Sequence, residues 1–156
     1  MNMESFEDIK VLMDEFDPAA LLPDLTSLIG KVEFITRIAA LIGPIVLLVM
    51  GLVYLFLSPK EANHVFGYRC YHGMGSVEAW RFTQRLAGIV WGVLGAVLTA
   101  LTLLLTSGFG NKEIMDIIGN GFTCVLWQVV AVAVSCILIN LVVMIRYDRH
   151  GDLRAK

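Results

Sequence analysis

The chain alternates between long apolar stretches that carry no charge and shorter polar segments. The apolar stretches cover residues 38–57, 86–106 and 122–145, and each has 20 to 24 residues without a charged side chain. About 20 apolar residues in a helix cross a hydrocarbon core near 30 Å. Only a helix satisfies every backbone donor and acceptor within one such segment. The pattern therefore predicts an all-α membrane protein with three transmembrane helices.

The composition agrees with a membrane protein and narrows the function classes. Hydrophobic residues make up 57% of the 156 residues and charged residues 17%, whereas soluble domains have roughly 45–50% and about 25%. No basic tract is present that could hold nucleic acid. The three spans lack the ionisable side chains that mark proton or ion pathways, which disfavours a small permease. The cysteines, at 70, 124 and 136, are interpreted as free packed thiols.

Residues 1–36 form an acidic segment with amphipathic character. Ser5 and Asp8 have the spacing of a helix-capping box, and the apolar residues at 6, 9, 12, 13 and 16 share one helical face. Pro18 and Pro23 end this helix, and a second helix beginning near Asp24 can continue into the first span. Acidic faces are not attracted to anionic lipid. We therefore expect this segment to pack on the protein itself or on a partner.

The distribution of basic residues predicts the orientation. The polar loop and the basic C-terminal tail, residues 146–156, lie on the same side of three spans. Together they carry eight basic residues: Lys60, Arg69, Arg81, Arg85, Arg146, Arg149, Arg154 and Lys156. The other side carries four: Lys10, Lys31, Arg37 and Lys112. The positive-inside rule therefore predicts a cytoplasmic C-terminus and an external N-terminus.

The second and third spans carry small and amide residues that favour helix contacts. Gly88, Gly92, Ala96 and Ala100 recur at intervals of four on one face of the second span. Small residues let helix backbones approach closely in lipid. This row predicts a contact, either inside the three-helix bundle or between two copies of the chain. The amides of Gln128 and Asn140 are expected to form hydrogen bonds between helices.

The loop over residues 58–85 is unusually rich in aromatic, basic and glycine residues. Ser76 is a candidate N-cap with Glu78 in the following turn, so the helix that begins there continues as the second span. Trp80 then lies at headgroup level, where tryptophan is enriched. Tyr68 and Arg69 are expected to face the bilayer or to pair with Glu78. The sequence thus predicts a folded interfacial loop.

This loop resembles the signature of the SdpI family of small bacterial membrane proteins. The matching residues, in three consecutive elements, are Pro59, Lys60 and Asn63; Phe66, Gly67, Tyr68 and Arg69; and Met74, Ser76, Glu78 and Trp80. Three positions depart from the pattern. Cys70 stands in place of Thr, Gly73 in place of Ser, and Gly75 in place of Lys.

The resemblance implies a non-enzymatic protein that protects its cell against a secreted, membrane-active toxin peptide. It also implies signalling through a cytoplasmic regulator, with the loop acting either as a clamp between spans or as a docking site. The alternative is a structural or assembly subunit that packs on a larger membrane complex through the second span. A metal site formed by His64, Cys70 and His72 is disfavoured because this spacing matches no usual zinc signature. The expected partners are thus the bilayer, the toxin or regulator, and a second copy, with no cofactor and no nucleic acid.

Overall fold

The computed structural model describes residues 25–62, 65–109 and 112–154. Three long helices account for most of them: α1 is Leu25–Phe56, α2 is Val77–Thr106 and α3 is Ile114–Arg146. A single 3-10 turn, His72–Met74, lies in the connection between α1 and α2. The predicted all-α fold with three helices is confirmed for this part of the chain. The amphipathic helix predicted near residues 5–16 lies outside the described residues.

All three helices are long and apolar enough to cross a membrane. Their outward faces carry exposed apolar side chains, among them Ile42, Val93 and Val134. Each helix begins earlier than its predicted span: α1 at Leu25, α2 at Val77 and α3 at Ile114. Helices of 30 to 33 residues are about 45–50 Å long, longer than a hydrocarbon core. Hydropathy marks only the segment within lipid, whereas the helix continues where its polar side chains reach water.

Arg37 explains how charged residues fit into the first half of α1. Its Nη2 donates to Glu33 Oε1 at 2.8 Å and to the Thr106 carbonyl oxygen at 2.8 Å. The Thr106 carbonyl belongs to the last turn of α2, where carbonyls lack partners within the helix. Arg37 therefore ties the start of α1 to the end of α2. α1 runs without a break from Leu25 into the first span, in agreement with the expectation that a helix beginning near Asp24 continues into it.

Glycines on both helices bring the backbones of α1 and α2 into contact. A Cβ added at Gly51 would lie 2.3 Å from the Gly92 nitrogen, and one at Gly95 would lie 2.4 Å from the Leu48 nitrogen. A Cβ at Gly88 would lie 2.9 Å from the Leu55 nitrogen. Such contacts are available only to glycine, and they let the helices approach closely in lipid.

The small-residue row predicted on α2 meets α1 only in part. Gly88 is buried and Gly92 borders Gly51, whereas Ala96 and Ala100 are exposed. Residues four apart rotate by about 40° per step around an α-helix, while residues seven apart differ by about 20°. The buried row therefore passes from Gly88 to Gly95 instead of following the strict interval of four. A contact with a second copy stays a prediction.

Gln128 joins the three helices at membrane depth. Its Nε2 donates to the Ala40 carbonyl oxygen at 3.1 Å and to Thr102 Oγ1 at 3.0 Å. The predicted interhelical role of this amide is confirmed. Asn140 instead lies on an exposed part of α3.

Candidate functional site

A core of buried side chains lies at the end of the bundle that carries the loop. Its members come from α1, the loop, α2, α3 and the segment after α3, and they are Tyr54, Tyr68, Ala79, Ala87, Ile139, Val143 and Tyr147. The loop is therefore packed into the helix bundle instead of lying on its surface.

Ser76 begins α2 in the way the sequence predicts. Its backbone is extended, at φ −146° and ψ 163°, and its Oγ accepts a hydrogen bond from the Ala79 nitrogen at 3.1 Å. Glu78 lies in the first turn, where a negative charge complements the helix dipole. The Ser76 hydroxyl also donates to the Gly151 carbonyl oxygen at 2.7 Å. One side chain thus both starts a helix and holds a segment 75 residues away.

Gln84 binds the loop backbone through both ends of its amide. The Tyr68 nitrogen donates to Gln84 Oε1 at 2.8 Å, and Gln84 Nε2 donates to the Tyr68 carbonyl oxygen at 2.7 Å. Gln84 is 1% exposed. Buried backbone groups require partners, and here one α2 side chain supplies both. We call this pair the amide clasp.

Trp80 fixes the start of the loop and a glycine within it. The indole is fully buried, and its Nε1 donates to the Pro59 carbonyl oxygen at 2.9 Å. A Cβ at Gly67 would lie 2.7 Å from the Trp80 ring, and Gly67 has φ +122°. Both the space and the backbone conformation therefore require glycine.

Tyr68 points into the bundle, so the expectation that it faces the bilayer is wrong. It is 8% exposed, and its hydroxyl donates to the Cys136 carbonyl oxygen on α3 at 3.2 Å. Its ring meets Trp91 edge-on, with centroids 5.4 Å apart. Burial, reinforced by Cys136, raises the pKa of the hydroxyl. Tyr68 stays neutral and links the loop, α2 and α3.

Two of the departures from the family pattern lie against the same threonine. Cys70 Sγ is 4.0 Å from Thr83 Oγ1. A Cβ at Gly73 would lie 2.5 Å from Thr83 Oγ1 and 2.7 Å from Cys70 Sγ. Glycine therefore leaves room for the sulfur. Burial raises the pKa of the Cys70 thiol, which keeps it protonated and weakens it as a nucleophile or metal ligand.

The third departure, Gly75, is explained by a hairpin that follows α3. Tyr147 and Leu153 form an antiparallel bridge. The turn between them packs on the loop, where a Cβ at Gly75 would lie 2.6 Å from the Gly151 nitrogen. Gly151 has φ +81°, and its own Cβ would lie 2.4 Å from the Ser76 nitrogen. Backbone thus occupies the space that a side chain at position 75 would need.

Asp148 stabilises the turn of this hairpin. Its Oδ1 accepts from the Asp152 nitrogen at 2.9 Å and from the His150 nitrogen at 2.8 Å. These bonds, that from Asp152 above all, lower the pKa of the Asp148 carboxyl. The sequence predicted only a basic tail here, so the hairpin was missed.

The structure divides the predicted motif residues into a set that holds the loop to the helices and an exposed set. The residues that hold the loop to the helices are Gly67, Tyr68, Ser76 and Trp80, together with the carbonyl of Pro59. The exposed residues are Lys60, Arg69 and Glu78. Met74 is partly buried at the end of the 3-10 turn. Asn63 and His64 are not among the residues that the structure describes.

The expected pairing of Arg69 with Glu78 is not formed. Among residues 25–62, 65–109 and 112–154, the one ion pair is Glu33–Arg37. Arg81, exposed beside this set, donates from Nε to the Lys60 carbonyl oxygen at 3.3 Å. The described charged side chains of the loop are therefore exposed on the protein surface and are not paired with each other.

Sequence reasoning missed Gln84, Thr83 and Gly151. A signal for Gln84 exists, because Trp80, Gln84, Ala87 and Trp91 have the spacing of one helical face. Arg81 and Arg85 lie between them and obscure it. Gly151 has no comparable signal, since its contact joins segments far apart in the chain.

Comparison with known families agrees with the resemblance seen in the loop. The SdpI/YfhL protein family matches residues 59–145, more than half of the 156-residue chain. The match starts at Pro59, whose carbonyl binds Trp80, and extends almost to the end of α3. No curated protein and no solved structure matches the chain. The three apolar helices and this match together show that the chain is a membrane protein of the SdpI/YfhL family.

Proposed function

We propose that this protein is non-enzymatic and protects its cell against a secreted peptide toxin that acts on the membrane. The observation that carries the proposal is the SdpI/YfhL match over residues 59–145, which covers the loop, α2 and nearly all of α3. The largely apolar outer faces of the helices support it, because a membrane-active peptide meets such faces in the bilayer.

In this proposal the two sets of loop residues have different roles. Gly67, Tyr68, Ser76 and Trp80 clamp the loop to the helices, in keeping with the contacts that they make there. Arg69 and Glu78 belong to a surface on which a cytoplasmic regulator docks, in keeping with their exposure. Variants at the clamp positions should lose the folded protein, whereas variants at the exposed positions should lose signalling only.

The proposed orientation places the loop and the C-terminal hairpin in the cytoplasm. The bond from Ser76 to Gly151 supports one side for both basic segments, and the positive-inside rule assigns that side to the cytoplasm. Glu61→Cys, at the loop, and Lys112→Cys, at the opposite end, are matched probes in a variant with the three native cysteines changed to Ser. A membrane-impermeant maleimide should label only the cysteine at 112 in intact cells. Labelling at 61 instead would reverse the orientation.

Survival of a sensitive host tests the protective role. Cells that express the protein are exposed to a secreted, membrane-active peptide toxin, with Arg69→Gln and Glu78→Gln as variants that keep the clamp. Wild type should restore growth, and the two variants should remain folded and protective while failing to recruit the regulator. Absence of protection at full membrane expression would contradict the proposal.

A structural or assembly subunit is the second candidate. It is favoured by Ala96 and Ala100, whose small side chains lie exposed on α2 and leave a smooth surface for another helix. The double variant Ala96→Ile with Ala100→Ile should then dissociate from the larger complex with which the wild-type protein is extracted in detergent. Ile89→Leu, on an exposed part of the same helix, serves as the control.

A further inference from the structure

A cleft opens at the loop end of the bundle, where the apolar, membrane-spanning parts of the three helices end. It has a volume of about 470 Å³ and lies between the end of α1, the first turns of α2 and the end of α3. Leu55 and Phe82 contribute apolar walls, and Ser58 and Pro59 close the loop side. We call it the interfacial cleft.

Positive charge is concentrated in the interfacial cleft. Lys60, Arg81, Arg85 and Arg146 line it, against the single carboxylate of Glu78. None of these five groups forms an ion pair with another described residue, since Glu33–Arg37 is the one such pair there. Four cations around one cavity repel each other unless an anion is bound between them.

Two of the guanidinium groups are held in place while most of their donors stay free. Arg146 stacks on the Phe82 ring, with its Cζ 4.5 Å from the centroid. Arg81 uses Nε to bind the Lys60 carbonyl oxygen, which leaves its terminal nitrogens available. Arg85 follows Arg81 by one helical turn on the same face of α2. Oriented guanidinium groups bind phosphate oxygens in a bidentate way.

The apolar surroundings select among phosphate-bearing ligands. Leu55 and Phe82 line the cleft, and Phe56 and Val77 are exposed at the same ends of α1 and α2. A ligand with a phosphate at the cations and hydrocarbon along these side chains fits both halves of the surface. Basic pockets between transmembrane helices are known to receive the headgroups of anionic lipids.

We propose that the interfacial cleft binds the phosphodiester headgroup of an anionic phospholipid, with Lys60, Arg81, Arg85 and Arg146 as the binding residues. The acyl chains lie against the outer faces of α1 and α2. This site is independent of toxin protection, because it depends only on the charge and shape of the cleft. The bundle thereby holds a bound lipid at its loop end.

Native mass spectrometry of the full chain in neutral detergent tests the proposal. Phosphatidylglycerol is titrated against phosphatidylcholine, which has the same chains but no net charge. Arg81→Gln with Arg85→Gln should weaken phosphatidylglycerol binding about tenfold or more. The matched control, Arg149→Gln with Arg154→Gln, removes the same charge from the same end outside the cleft and should change it less than about twofold. Equal loss in both double variants would show general attraction and overturn the proposal.

Two further measurements keep the test decisive. Lys60→Gln alters an exposed side chain and should weaken phosphatidylglycerol binding about threefold to fivefold without affecting folding. No change in this variant would overturn the site even if the double variant failed to fold. Inorganic phosphate at millimolar concentration should not displace the lipid. Full displacement would identify a small-anion site instead and reject the lipid.

Discussion

The two ends of the helix bundle connect their helices by different means. At one end, residues 57–76 join α1 to α2, and side chains of α2 bind the backbone of this segment at Pro59 and Tyr68. At the other end, the shorter link from α2 to α3 uses local bonds, as from the Ser107 nitrogen to the Leu103 carbonyl oxygen at 3.0 Å. A loop packed into a bundle needs specific partners for its polar groups.

The largest expected effect comes from removing a tryptophan at the loop end. Trp80→Ala deletes a fully buried ring and should lower the free energy of unfolding by about 3–5 kcal/mol. Trp127, 69% exposed on α3, is the matched control, and Trp127→Ala should change stability by less than about 1 kcal/mol. Thermal unfolding in detergent measures both. Similar losses would contradict the difference between the two regions.

The amide clasp provides the next comparison. Gln84→Leu leaves the buried nitrogen and carbonyl of Tyr68 without partners and should destabilise the protein by about 2–4 kcal/mol. Gln128→Leu removes an amide at membrane depth, where such bonds contribute about 0.6 kcal/mol on average. The same unfolding assay ranks the two. A larger loss of stability for Gln128→Leu would contradict the expectation that the loop depends more on its side-chain hydrogen bonds than the membrane-embedded part of the bundle does.

The glycine contact between α1 and α2, which lies between the two ends of the bundle, provides a test of close backbone packing. Gly51→Ala places a Cβ 2.3 Å from the Gly92 nitrogen, and separating the helices should reduce stability by about 1–3 kcal/mol. Gly92→Ala has no heavy atom within 4 Å of the added Cβ and should be neutral. Crosslinking between α1 and α2 measures the separation. An unchanged Gly51→Ala protein would reject the close contact.

The smallest effect concerns the thiol of Cys70. Because burial raises its pKa above the ordinary 9.0, the folded state keeps its proton where the unfolded state loses it. The stability from this group is therefore full below the unfolded pKa and declines as pH rises through the folded one. Two proteins are compared at pH 8 to 9: one keeps Cys70 as its single cysteine, and the other carries Tyr71→Cys with all native cysteines changed to Ser. Maleimide should react more slowly with Cys70 than with the cysteine at 71. Equal rates would show that the thiol is not protected.

Local sequence signals predicted the features that depend on neighbouring residues. Ser76 is an N-cap because its bond reaches only three residues ahead. The sequence around Tyr68 favours a position at the bilayer, because aromatic residues near a span usually lie there. Its actual position depends on Gln84 and Cys136, which no window around Tyr68 contains. The family pattern identified the loop, whereas it did not show which of its residues face inward.

The sequence by itself determined the three spans, the polar loop between the first two, and the membership in a membrane family. Hydropathy sums over adjacent residues, so a helix long enough to cross a bilayer is visible without a structure. The tertiary structure alone decided the amide clasp, the contact of Gly75 with Gly151 and the charged interfacial cleft. Each joins residues that lie far apart in the chain, and only the folded bundle brings their atoms within bonding distance.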